Sequence, residues 1–596
     1  MTRQQELARA YQLSRRGKHD KAERLCKRLL RHHPGDAPAT HLLGLIKKNA
    51  GHYVAAERFM RESLRLDAYT AEYRANLGNL LQKLGRYEDA ASTYREALGI
   101  DATNRQAAIG LIRALNDLAD HEAAEIEARL LYSRSPFDPE ICSALAMTLR
   151  EQGRLEEAAT LYRKSTIRSP GYAAAHHNLG SVLSRLDRAE EALEALTCAR
   201  SLGISGYELE FNLGRTFLQL YRFDDAENAF ARAVAANPRD SDAQINLARV
   251  RFMRGDKDFA RDIAAAADKD NRDLQLLYGI MLRRAGDLHG AEAHFRSMLS
   301  VVDSAGVRSA LAEVLHELGR PEDAKVEVLA AIAASPDDSI IVENAVAILL
   351  ACGRPDQAMP YIQTQRARAP NGQGWIAYEA TAARLLGMDI YPELYDYDRL
   401  VRTFDVEAPA GWSSMGELNE AVLHALNERH RLPNHPLDQS LRNGSQTARS
   451  MLTDPHPAIR SIVKAFEAPV EEYRQSLGTT SDHLMCVRNS GQARITGAWS
   501  VQLRKNGFHV NHFHPEGWIS SAYYVSPPEE VRDEERKSGW LKFGEPRFPV
   551  PGATPEKWVQ PRAGRIALFP SYMWHGTNPI MGDEPRTTIA FDALPS

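Results

Sequence analysis

The side chains best suited to chemistry gather near the C-terminus. In "GFHVNHFHPEGW", residues 507–518, His512 and His514 stand two positions apart. Residues i and i+2 of a strand project from one face, so these two imidazoles are expected to point together. His509 has the other parity and is expected beside them or at the surface. His575 follows 61 residues after His514, in "LFPSYMWHGTN". Neutral imidazole binds divalent transition metals well. Two ligands from one strand and a third from a distant one is the way non-haem iron is held on one triangular face. A second register exists in which His514 and Glu516 form H-x-E and supply the carboxylate of a two-histidine site. The turn-like "PEG" and Pro515 favour His512, His514 and His575. Eleven residues past His575, Arg586 opens "RTTIAFD", with Thr588 on the same strand face. A guanidinium fork there suits a carboxylate held bidentately. Trp518 and Trp574 are expected to wall the pocket, and Arg504 to meet substrate or solvent.

Short alternating runs must position these groups. From about 483, "RITGAWSVQLRKNG", "WISSAYYV", "GRIALFP" and "RTTIAFDAL" read as strands separated by Gly, Pro and charged turns. They predict an antiparallel β sandwich or barrel. Apolar spacing predicts flanking helices near 415–430 and 457–477. Between these, "HPLDQSLRNGSQTARSML" (435–452) reads either as a solvated loop or as a segment lining the mouth of a site. Residues 387–412, rich in Tyr, Asp and Pro, read as a connector.

Most of the chain before the connector follows a period of 34 residues, interrupted by a short spacing after Gly255. Gly17, Gly51, Gly85, Gly153 and Gly255 fall on the lattice, and Ala119, Asp187 and Tyr221 fill its remaining points. Five residues after each point stands an alanine, from Ala22 to Ala260, and the pattern resumes at Gly286/Ala291, Gly319/Ala324 and Gly353/Ala358. Glycine tolerates the positive φ that ends a helix, and alanine lets two helices approach closely. The unit resembles the tetratricopeptide repeat, with about eleven repeats from residue 5 to near 370. Such repeats stack into a solenoid whose concave face is lined by the first helix of each pair. Asn178, Asn212 and Asn246 recur at one position of that helix. Their carboxamides either pair with the backbone of an extended peptide or are simply repeat consensus.

The C-terminal motifs resemble the Fe(II)/2-oxoglutarate-dependent oxygenases. More specifically, "HFHPEGWISSAYYV", "GWLKFGEP", "PRAGRIALFPSYMWHGT" and "RTTIAFD" resemble the 2-oxoglutarate oxygenases found fused to bacterial tetratricopeptide repeats. The match covers 435–452 and about 497–592. The resemblance implies a double-stranded β-helix (jelly-roll or cupin-like) core, with Fe(II), 2-oxoglutarate and dioxygen as cofactor and cosubstrates. It makes His512 and His575 ligands, sets Arg586 on the distal carboxylate of 2-oxoglutarate, and has Thr588 and Tyr524 assisting. Where that family carries Asp or Glu, this chain has His514. The expected architecture is a solenoid over 1–390, support helices over 391–482 and the oxygenase core over 483–596. The implied activity is hydroxylation of a protein or peptide recruited by the repeats. Two rivals are a binding scaffold with an inactive jelly roll, and a cupin-like three-histidine enzyme that does not use 2-oxoglutarate.

Composition narrows the setting. A hydrophobic fraction of 43% and a charged fraction of 26% are ordinary for soluble protein. A net charge of −4 argues against a general nucleic-acid binder. The five cysteines never form a CxxC pair, no apolar run suits a bilayer, and the first residues lack a secretory apolar core. A cytoplasmic protein without membrane association is expected.

Overall fold

A computed structural model describes residues 2–267, 271–437, 439–479 and 483–596. They form two compact units, Met1–Ser205 and Gly206–Ser596. The first is built of helix pairs, from Arg3–Arg15 with His19–His32 to Ala173–Arg185 with Ala189–Ser201. Each pair turns at a lattice point in the left-handed region. There φ is 71° at Gly17 and 73° at Gly85, but also 58° at Ala119 and Asp187. The turn is dictated by hydrogen bonding. The amide after the lattice residue donates back to the last helical turn, as Lys18 N does to Leu13 O (3.0 Å) and Asp120 N to Leu115 O (2.9 Å). Ala119 satisfies the same bonds at a conformational cost of about 1–2 kcal/mol. The lattice alanines of this unit, Ala22 through Ala192, are fully enclosed. The facing helices come close enough that a Cβ at Gly78 would lie 2.6 Å from the Tyr94 ring.

In the second unit the pairs continue from Tyr207–Gln219 and Phe223–Ala236 to Pro355–Arg368, and a last helix, Gln373–Leu386, closes the series. The connector is more structured than its composition suggests. It holds helices Ile390–Leu394 and Tyr397–Leu400 and a strand, β1 (Arg402–Asp405). Eight further strands follow: β2 (Leu441–Gln446), β3 (Ala493–His509), β4 (Ile519–Ser526), β5 (Leu541–Phe543), β6 (Lys557–Val559), β7 (Arg565–Pro570), β8 (His575–Thr577) and β9 (Arg586–Pro595). They form an antiparallel sheet in the order β1-β7-β4-β9-β3-β2 and a smaller one in the order β6-β5-β8. The fold is a helical repeat array followed by a double-sheet jelly-roll domain with flanking helices.

Side-chain parity divides β9 between two jobs. Ile589, Phe591 and Ala593 enter the apolar core, where Phe466 stacks on Phe591 at 5.1 Å. Arg586, Thr588, Ala590 and Asp592 face a cavity of about 560 Å³. The core-side helices are Met415–Asn427, Pro457–Ala465 and Glu467–Leu477; the helix expected over 457–477 is broken at Phe466. The polar stretch 435–452 is not a free loop. Its middle is β2, paired with β3, and just before it Asn434 Nδ2 donates to Phe252 O (2.8 Å) on a repeat helix. Among the described residues no helix is long and apolar enough to cross a membrane.

The strained lattice point gives a stability prediction. Ala119→Gly removes the left-handed penalty of about 1–2 kcal/mol and adds unfolded-state entropy of about 0.4–1 kcal/mol, leaving a net gain of up to about 1.6 kcal/mol. Urea unfolding should show a raised midpoint, and a clear drop would refute the strain assignment.

Candidate metal centre

The histidines lie just beyond β3, not within a continuous ladder. The segment 510–518 keeps one bridge to the opposite sheet, in which His512 N donates to His575 O (2.8 Å) and His575 N to His512 O (2.9 Å). This bridge joins the expected pair to the distal histidine, which itself opens β8. The ring nitrogens of His512, His514 and His575 that could bind a metal all lie within 4.8 Å of one another. His512 Nε2 and His514 Nε2 are 3.3 Å apart.

Each ring is held by its other nitrogen. Nδ1 of His512 donates to Val510 O (2.9 Å), and Nδ1 of His575 donates to Met573 O (2.9 Å). Nδ1 of His514 meets Asp592 Oδ1 at 2.5 Å, and Asp592 also accepts from Ser520 Oγ (2.7 Å). A proton on Nδ1 leaves the Nε2 lone pair facing inward. Burial drives the His512 imidazole down to about 3 and that of His575 well below its ordinary value. Both are therefore neutral, as a ligand must be.

Arg586 stands on the same cavity wall, 2% exposed, with its guanidinium 5.1 Å from the centre of the Tyr524 ring. Its Nε and the Tyr524 hydroxyl are buried without a hydrogen-bond partner among the described residues. Burial pulls the arginine below its usual range and pushes the tyrosine above its own. An orphaned buried donor of this kind is costly unless a ligand accepts from it. Thr588 is one step along the same face, and its Oγ1 lies 3.4 Å from Val501 O.

Other expected residues fall in different places. Glu516 is exposed at the cavity edge and stands apart from the three-histidine cluster. His509 stacks on His512 at 5.8 Å, and Ser440 Oγ meets its Nδ1 at 2.9 Å. Trp518 and Trp574 do not line the cavity: both are packed into the core, and Trp574 Nε1 donates to Thr381 Oγ1 (3.0 Å). Arg504 is neither at the site nor free, for it donates to the carbonyls of His430, Leu432 and Pro433. Asn178 is half-buried and Asn212 buried. Asn246 spends Nδ2 on Asp242 O (2.8 Å) of its own helix. Asp592 was not singled out from sequence, although it lies six residues after Arg586 and so shares its strand face. The repeat residues Arg283 and Glu317, which also line the cavity, carry no local signal of that role.

Residues 497–592 match a family described as "Putative 2OG-Fe(II) oxygenase". Residues 71–104, 143–200, 211–273 and 305–328 match tetratricopeptide-repeat families. The chain carries tetratricopeptide repeats and a C-terminal stretch that matches the "Putative 2OG-Fe(II) oxygenase" family. It is 25% identical over 158 residues to the BBSome complex member BBS4 of Bos taurus, a match covering 26% of this chain and 30% of that protein's length. A thermophilic repeat protein of Thermus thermophilus is 24% identical, with 30% of this chain and 99% of that one covered and a TM-score of 0.27. The human IFIT1 dimer with m7Gppp-AAAA is 15% identical, with 60% of this chain and 89% of that one covered and a TM-score of 0.38.

The donor set fits the group that the family implies. Three inward nitrogens suit a divalent iron, and the buried Arg586, with its Nε unsatisfied, suits a dicarboxylate. His514→Ala should abolish stoichiometric binding of Fe(II) or of a Co(II) probe, whereas Glu516→Gln should leave it unchanged. Asp592→Asn, by loosening His514, should weaken metal affinity about 10–100-fold. Intact binding in the His514 variant, followed by metal titration, would refute the three-histidine site.

Proposed function

We propose that the protein is an Fe(II)- and 2-oxoglutarate-dependent oxygenase, in its simplest form a hydroxylase, acting on a protein segment recruited by the repeats. One juxtaposition carries the reading: three inward Nε2 atoms and a buried Arg586, whose Nε has no acceptor among the described residues, share one cavity. His512, His514 and His575 would hold iron, while Arg586, aided by Thr588 and Tyr524, would hold the distal carboxylate of 2-oxoglutarate. When bound, iron with 2-oxoglutarate supplies the oxidising chemistry that puts one oxygen atom of dioxygen into a substrate C–H bond as the cosubstrate loses carbon dioxide.

The chain's own contribution is to bind, orient and exclude water. Arg586 supplies a fixed charge in a low-dielectric pocket, where a carboxylate is held far more strongly than in water. The apolar lining of Val501, Leu541, Phe569 and Ala590 keeps bulk water from the reacting centre. Asp592 keeps His514 in its inward tautomer. The functional division follows the sequence period, with recruitment over 1–390, support over 391–482 and chemistry over 483–596. Asn178, Asn212 and Asn246 would pair with the backbone of the bound segment.

The absence of a carboxylate ligand favours the rival cupin-like reading, and Arg586 separates the two. Arg586→Lys keeps the charge and loses the fork, so 2-oxoglutarate affinity should fall by one to two decades, a loss of about 1.5–3 kcal/mol, with iron retained. Unchanged cosubstrate binding by calorimetry would transfer the site to the cupin-like reading. The triple Asn→Ala variant should lose substrate-stimulated turnover of 2-oxoglutarate and keep the uncoupled background. If its stimulated turnover persists in a normally folded protein, the asparagines are repeat consensus.

A further inference from the structure

The cavity lining carries more positive charge than iron and 2-oxoglutarate account for. It includes five arginines, Arg283, Arg284, Arg442, Arg547 and Arg586, against three carboxylates, Glu317, Glu516 and Asp592. Two of the carboxylates are already engaged, Glu317 by Arg283 Nη1 at 2.6 Å and Asp592 by His514 at 2.5 Å. Glu516 forms no ion pair among the described residues.

Arg442 and Arg547 form no ion pair among the described residues, although Glu317 attracts the Arg442 charge. Arg442, on β2, donates Nη1 to the carbonyls of Gln439 and Leu441 (2.8 Å each), so one arm of its guanidinium is anchored while the rest of the fork meets no acceptor among the described residues. Arg547 is exposed and forms no ion pair among the described residues. Its backbone is nonetheless held on both sides. Pro546 O accepts from Asn511 Nδ2 (3.0 Å), and the Phe548 ring meets His316 of a repeat helix at 5.1 Å. Burial, and after it repulsion from the Arg547 guanidinium, pulls Arg442 below its usual range. Two like charges beside one cavity repel, and an anion that bridges them would offset that repulsion. That anion is distinct from the distal carboxylate of the cosubstrate, which has the deeply buried Arg586.

We propose that Arg442 and Arg547 form an anion subsite where the β domain meets the later repeats, and that the substrate is a protein segment bearing a carboxylate or phosphate close to the position oxidised. This rests on the oxygenase reading for the word substrate; the anion site itself does not. A protein segment fits because Arg283 and Glu317, on the repeat helices Arg272–Arg284 and Ala305–Glu317, form part of the same wall. A chain lying along those helices reaches the cavity directly.

The test uses the full chain, kept without oxygen and loaded with Fe(II) and 2-oxoglutarate, and three fluorescent hexapeptides: all-Glu, all-Gln, and Gln with one phosphoserine. The all-Glu peptide, the phosphoserine peptide or both should bind, and the all-Gln peptide should not; which of the two binds identifies the anion. Arg442→Gln and Arg547→Gln should each lower that affinity about tenfold, and iron and 2-oxoglutarate affinities should stay within about twofold. Arg547 is exposed, so its variant folds and decides the matter even where Arg442→Gln does not. Equal binding of all three peptides, no binding of either anionic peptide, or full affinity in Arg547→Gln overturns the proposal. So does a loss confined to 2-oxoglutarate, which would make these arginines cosubstrate ligands. If iron and 2-oxoglutarate fail to bind while arginine-dependent peptide binding survives in the unloaded chain, the oxygenase reading falls and the anion subsite stands.

Discussion

Three imidazoles can aim at one point only because each has committed its other nitrogen elsewhere. Val510 O, Met573 O and Asp592 Oδ1 take the Nδ1 protons, so tautomer and ring orientation are set before any metal arrives. Two of these acceptors are backbone carbonyls two residues upstream of the ring that they hold, so the chain's path fixes the ligand. The reciprocal bridge between His512 and His575 then ties the two chain segments together. Cavity, arginine and repeat wall are arranged around a centre whose geometry is already decided.

The third acceptor bears on charge. A site with three neutral ligands leaves more positive charge on a divalent metal than one with a carboxylate ligand. Here the carboxylate stands one group further out, on the far side of the His514 ring. Asp592 can offset part of that charge through the imidazole without occupying a coordination position. Ser520 shares the same carboxylate oxygen, which limits how far it can swing.

Much of this was legible in the residues because period and parity are geometric. The lattice alanines mark enclosed helix contacts, and the lattice points with left-handed φ include Ala119, Asp187 and Tyr221, where composition alone would not have said so. Parity on β9 put Arg586 and Thr588 on one face, and the same count reaches Asp592. What stayed hidden depends on pairing between distant segments. Residues 435–452 look like a solvated loop because β2 is an edge strand with polar side chains, recognisable only once β3 lies beside it. Strand parity for His512 and His514 led to the right neighbours by an imperfect route, since the ladder has ended by then and one bridge aligns them. Arg504 reads from sequence as meeting substrate or solvent, yet three carbonyls of a distant segment consume it.

The division between repeat array and β domain is clear in sequence period but not in packing. Arg384, on the last repeat helix, donates to the carbonyls of Gly544 (3.0 Å) and Thr554 (2.9 Å), on either side of the turn that links β5 to β6. Trp574, next to His575, places its indole N–H on Thr381 of that helix. Tyr395, in the connector, accepts from the Trp574 amide at 2.9 Å. The short sheet that carries the distal histidine is therefore braced by the end of the solenoid rather than by its own three strands, which are too few and too short to be stable alone. Gly206–Ser596 being one compact unit follows from this bracing. The later repeats then have two roles at once. They form one wall of the cavity through Arg283 and Glu317, and they hold in place the short sheet that carries His575. A shift of the last repeat helix would be transmitted through the Thr381–Trp574 hydrogen bond to the neighbouring His575, so the end of the array and the cavity wall are mechanically joined.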